Sequence, residues 1–241
     1  MMAVSRRLFL SGAGDLAKGE CTVATRRAAN LAILSAAALA MAPGFAAAQA
    51  QQSIALPPPR ADFGTSLAQA LKLRRSIRAF DPRPLAPQVL SELLWAAYGV
   101  NRPATADRTA PSWRRARETD VYAAMADGVW RYDPIKHVLV PHLAGDVRAQ
   151  TGVQDFVGTA PLNLVYVSNA EHMSGVPREE QHRVAAADIG FIGQNVYLYC
   201  ASEGLACVFR ASLDTARLAR TLGLAETQFI MFSQTVGFPK A

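Results

Sequence analysis

Cysteine and histidine are scarce in this chain. Three cysteines (Cys21, Cys200, Cys207) and four histidines (His137, His142, His172, His182) are scattered over 241 residues. None stands at metal-ligand spacing and no H-x-x-x-H pair occurs, which argues against a zinc centre. Also missing are a G-x-G-x-x-G turn after a strand, a P-loop, a serine elbow and a His–Asp pair at a recognisable spacing. The chain therefore lacks the usual carriers of dinucleotide binding on a Rossmann fold, phosphoryl transfer and triad hydrolysis. Its longest leader-region apolar run, Leu31 to Ala42, falls short of the roughly 20 residues that cross a bilayer, so no stable membrane span is expected.

What is present divides at residue 50. Residues 1–50 read as an export signal. They are alanine-rich and nearly free of acids, with a twin-arginine-like Ser5-Arg6-Arg7-Leu8-Phe9-Leu10, a second pair at Arg26-Arg27, the apolar run, and an A-x-A site at Ala48-Gln49-Ala50. Cleavage after Ala50 and a periplasmic or secreted location are the expectation. The formal charge of +6 is reduced with it: the leader holds five of 25 basic and two of 19 acidic residues, leaving +3. So small an excess, with no interleaved aromatic and basic motif, gives no support for nucleic acid binding. The full chain is 51% hydrophobic, and what remains after the leader is long enough for one domain with a sizeable core.

Residues 51–62, with Pro57-Pro58-Pro59, read as an extended linker, and 63–241 as the domain. Thr65 or Ser66 caps a helix to about Leu73, and Pro87 opens a second whose Leu90, Leu93, Leu94 and Ala97 share one face. Asn101 to Arg117, polar and without periodicity, reads as a long loop. A hairpin follows, Val129–Tyr132 turning at 133–136 into His137–Val140. Leu162 to Val167 is an unbroken apolar run, hence a central strand. Arg183 to Ser202 is a helix apolar on every side, so it must be buried on every side, at the centre of the domain or in a subunit interface. Leu205–Phe209 and Phe229–Val236 are further strands. Cys200 and Cys207 could pair in an oxidising compartment, but their places on a helix and the next strand favour two buried thiols. Trp95, Trp130, Tyr197 and Tyr199 are expected in the core, while Gln194 and Asn195 are open between an interface and a site role.

The richest local signal is Arg74-Arg75-Ser76-Ile77-Arg78-Ala79-Phe80. Three guanidinium groups and a hydroxyl lie within five residues where a helix runs out. Arginine offers a fixed fork of donors at any physiological pH, and in an extended backbone Arg74, Ser76 and Arg78 point one way. This is a place to hold a phosphate.

Together with Arg108-Thr109-Ala110-Pro111-Ser112, Asp127 to Asp133, Gly193-Gln194-Asn195, Glu203-Gly204-Leu205 and Val236-Gly237-Phe238-Pro239, that motif resembles the nitroreductase family. The likeness runs from about Leu67 to Lys240 and is nearest the branch of azoline-oxidising dehydrogenases in modified-peptide biosynthesis. The resemblance implies an α+β fold, a central mixed or antiparallel sheet flanked by helices, with FMN bound at a homodimer interface. It assigns Arg74, Arg75, Ser76, Arg78 and Lys240 to the FMN phosphate and Pro111-Ser112 to the flavin ring. Backbone donors beside the flavin N5 edge would come from Arg210, Ala211 and Ser212. No general base is required, because the cofactor carries the chemistry. Three readings stay open: an FMN-dependent oxidoreductase with a small organic acceptor, a dehydrogenase or oxidase of one small molecule or peptide using oxygen or a membrane carrier, and a non-catalytic flavin- or ligand-binding protein. The electron donor is not identified, and export makes NAD(P)H doubtful.

Overall fold

The computed structural model describes residues 51–240. The leader expected over 1–50 lies outside the described residues. In chain order the elements are β1 (Ile54–Ala55), α1 (Leu67–Leu73), β2 (Phe80–Asp81), α2 (Pro87–Tyr98), β3 (Val100–Arg102), β4 (Asp107–Arg108), β5 (Thr119–Met125), β6 (Gly128–Asp133), β7 (Val138–Ala144), β8 (Leu162–Asn169), α3 (Arg178–Ser202), β9 (Ala206–Arg210), α4 (Thr215–Thr221) and β10 (Gln228–Pro239). The main sheet runs β1-β7-β6-β5-β8-β10-β2, with β9 also on β10, and every pairing is antiparallel. The fold is α+β, and its sheet is antiparallel rather than mixed.

The unbroken apolar run of β8 follows from its central place. Leu162, Leu164 and Tyr166 face a core shared with Leu93 and Leu94 of α2 and Ile189, Ile192 and Val196 of α3. Val165 and Val167 face the opposite side, against Leu218 of α4, which Asp214 caps through the Arg217 amide. A strand covered on both faces needs apolar side chains at odd and even positions alike. Helix α3 starts five residues ahead of the expected Arg183, since its first turn is polar and carries Glu179 and Glu180 at the positive end of the helix dipole. Within one chain it is not buried on every side, since Phe191 is 49% exposed. Both Cys200 and Cys207 are buried free thiols.

Two expectations are corrected. Residues 51–62 are not a linker ahead of the domain, because β1 pairs with Val138 and Leu139. The extended backbone that proline imposes is also what a sheet edge accepts. Ser91 Oγ donates to the Pro57 carbonyl, and Arg60 binds the fully buried Glu92 through Nε–Oε1 (2.6 Å) and Nη2–Oε2 (2.9 Å). That guanidinium holds the Glu92 carboxyl down at about 2. The stretch 101–117 is not a featureless loop either. It contains the β3–β4 pair and a 3-10 turn at Trp113–Arg115, bent by left-handed Ala106, Arg114, Arg115 and Arg117. Among the described residues no helix is long and apolar enough to cross a membrane, and no three His, Cys, Asp or Glu side chains are grouped to hold a metal ion.

Candidate cofactor-binding site

Helix α1 stops at Leu73 because Arg74 turns into extended backbone (ψ 120°). The chain then runs alongside β9 and β10. The Ile77 amide donates to the Cys207 carbonyl (2.9 Å), Phe80 and Asp81 pair with Pro239 and Phe238, and the Lys240 amide donates to the Ala79 carbonyl (3.1 Å). Ile77 packs inward with Phe80, Ala206 and Val208, so its neighbours Ser76 and Arg78 project outward. The final strand is thus longer than its expected end at Val236, and its extra residues carry Lys240 to the basic segment. The backbone brings Arg74, Arg75, Arg78 and Lys240 to one edge, and none of them makes a carboxylate ion pair among the described residues. Four uncompensated cations at one edge match a multiply charged anion.

Tyr197 of α3, expected as core, belongs to this edge. Its hydroxyl lies 2.8 Å from Ser76 Oγ and accepts the Phe209 amide (2.8 Å), while the Arg74 guanidinium carbon sits 5.3 Å from its ring centre. A tyrosine in the middle of an apolar helix needs a hydroxyl partner, and that need was the signal in the sequence. Gly193, one turn earlier, leaves room for the Phe209 ring: a Cβ there would stand 2.6 Å from Cε2. Gly193→Ala is expected to cost about 1–3 kcal/mol through overpacking, read as a lower denaturant midpoint. An unchanged midpoint would show that the Phe209 ring yields freely.

The expected loop Arg210–Ser212 divides in two. Ala211 and Ser212 are exposed just past the end of β9. The Arg210 side chain, however, is 5% exposed and turned away into the sheet. Its guanidinium donates to the Thr151 carbonyl (2.9 Å), Asn163 Oδ1 (3.1 Å), Gln154 Oε1 (3.2 Å) and Thr235 Oγ1 (3.1 Å). The side chain is a structural group, and the role expected of Arg210, that of a backbone donor, does not involve it.

Pro111 and Ser112 stand elsewhere. Ser112 Oγ accepts the Arg117 amide (3.0 Å), and the next amide, Trp113, donates to Asp188 Oδ2 (2.8 Å). Asp188 precedes Tyr197 by nine residues on α3, or about 13 Å of helix. Within one chain the structure does not bring Pro111-Ser112 to the basic edge.

Beside this loop lies a carboxyl pair that sequence reasoning missed. Glu118 is 1% and Asp188 5% exposed. Burial foremost, and then the Asp188 charge, push the Glu118 carboxyl up, and burial raises Asp188 too. Folding therefore favours a protonated pair. Its stabilisation is complete below the ordinary carboxylate range and is lost as pH rises through the raised values. Wild type is expected to lose melting temperature relative to Glu118→Gln between about pH 5 and about pH 8. Parallel melting curves across that window would show that the pair does not titrate there.

An α+β fold with an antiparallel sheet and a long helix is shared with nitroreductase-type oxidoreductases. The chain belongs to the nitroreductase family, whose model matches residues 71–238. A protein of Methanocaldococcus jannaschii provisionally named a nitroreductase is 32% identical over 152 residues, 59% of this chain and 76% of that one. A crystal structure of a provisionally named nitroreductase from Ralstonia eutropha JMP134 is 44% identical, with a TM-score of 0.76 over 80% of this chain and 92% of that one. The Escherichia coli microcin synthetase McbBCD, solved with truncated pro-MccB17, shares the fold at 20% identity and a TM-score of 0.62, covering 77% of each chain.

Proposed function

We propose that this chain is an exported, homodimeric FMN-dependent oxidoreductase that moves two electrons between a donor and a small organic acceptor. The observation that carries the reading is the basic edge. Arg74, Arg75, Arg78 and Lys240 meet without a carboxylate partner among the described residues, and Ser76 adds a hydroxyl. These residues fit a phosphomonoester. When bound, FMN supplies the two-electron chemistry, and the chain's part is to anchor and orient it. Ala211 and Ser212 would offer backbone donors at the far end of the same edge. An NADPH:FMN oxidoreductase of Vibrio harveyi, similar in fold at 19% identity and a TM-score of 0.53 over 73% of this chain and 69% of that one, lends support from a protein named for that cofactor.

The dimer is supported by exposed apolar side chains, Phe191 on α3 and Leu67 and Leu71 on α1, two helices that pack together. Export is read from the leader alone, and it favours oxygen or a membrane carrier over a nicotinamide partner. The likeness to a synthetase solved with its peptide keeps a peptide-oxidising enzyme as the second reading.

The test is the visible spectrum of protein purified without added cofactor, followed by chromatography of what acid releases. FMN at about one per subunit is the expected outcome. Colourless protein that also fails to take up FMN would sink both enzyme readings.

A further inference from the structure

Every buried side-chain polar atom left without a hydrogen-bond partner among the described residues belongs to one cluster: Tyr98 Oη, Arg108 Nε and Nη1, and Glu118 Oε2. Such atoms are costly and rare in folded proteins, so their collection at one place asks for a missing partner. Tyr98 is 3% exposed, and the Arg108 guanidinium carbon lies 5.4 Å from its ring centre. Both line a cavity of about 500 Å³ whose other walls include Val121, Tyr132, Pro134 and Ile135.

Charge narrows the ligand. Of the arginines on the cavity wall, Arg131 faces Asp120 at 3.6 Å and Arg117 faces Asp107 at 3.2 Å, whereas Arg108 makes no ion pair among the described residues. Asp133, also on the wall, spends Oδ1 on the amides of Ile135 and Lys136. Burial pushes Arg108 down and the Tyr98 hydroxyl up, so the hydroxyl stays a donor. One uncompensated guanidinium calls for one negative charge, and a planar carboxylate suits a planar donor group. The tyrosine rings, Val121 and Ile135 suit an apolar body behind it.

We propose that this cavity binds a small monocarboxylate with an apolar body, its carboxylate held by Arg108 and Tyr98. The site uses none of the residues of the basic edge.

Benzoate is the probe, titrated by calorimetry and thermal unfolding at constant ionic strength, with benzamide as the uncharged control. The expected result is a saturable rise in melting temperature with benzoate and none with benzamide. Tyr98→Phe removes one hydrogen bond to a charged group and is expected to weaken benzoate about tenfold. Without benzoate the same variant should melt higher than wild type, because an unsatisfied hydroxyl is gone. Arg108→Gln is expected to abolish the response; if it does not fold, Tyr98→Phe carries the test. An equal response to benzamide, no saturable response to benzoate, or an undiminished response in the variants overturns the proposal. So does a pattern of ordered water only, in which Tyr98→Phe melts lower and benzoate does nothing.

Discussion

Replacing Arg74 and Arg78 together with alanine is expected to leave a folded protein that no longer retains flavin through gel filtration. A hydrogen bond to a charged group contributes about 1.5–3 kcal/mol. Two such contacts removed weaken binding by roughly 100-fold to 10,000-fold. Arg78 is the cleaner half of the pair, because its side chain is exposed and Arg74 also covers the Tyr197 ring at 5.3 Å. Lys72 serves as control: it is an exposed cation in the last turn of α1, before the segment turns extended. Lys72→Ala is expected to stay yellow. If the double variant kept a full complement of flavin, the phosphate would have to sit at another edge of the sheet.

Arg210→Met is expected to destabilise the domain by on the order of 3 kcal/mol, a fall in melting temperature of about 6–12 °C for a domain of this size. Methionine fills similar space but leaves Gln154 Oε1 without its donor and removes one of the two donors to both the Thr151 carbonyl and Asn163 Oδ1. Part of the cost is offset, because burial holds the guanidinium down at about 10 and removing the charge relieves that penalty. A Cβ at Gly152 would collide with the same guanidinium, so Gly152→Ala provides an independent disturbance of the network. Melting curves of both variants check the account, and a loss under about 1 kcal/mol in Arg210→Met would show that the network is not what fixes residues 151–154 against β9.

Much of this architecture was legible from residue type alone. The two-sided apolarity of β8 announced a strand covered on both faces, and Pro87 with its apolar spacing marked α2. The basic segment could be read as an anion site because its chemistry is local. Less visible was anything set by partners distant in sequence. Strand β5 and helix α4 carry little local signal, the latter only seven residues long and stabilised by its Asp214 cap and its place under the sheet. Tyr197 looked like core because its hydroxyl partners, Ser76 and Phe209, come from other elements. The same holds for Glu118 and Asp188, two acids seventy residues apart that only the fold places side by side. Polyproline was read as a spacer because nothing in it says that a strand edge at Leu139 awaits it.

The basic edge is a clasp made from two stretches far apart in the chain: Arg74 to Arg78 are synthesised well before Lys240. Strand β10 has to emerge before β8 finds its second neighbour and before Phe80 and Asp81 find theirs. A nascent chain therefore carries three of the four cations but cannot position them, and any truncation of the C-terminal strand leaves them without their frame.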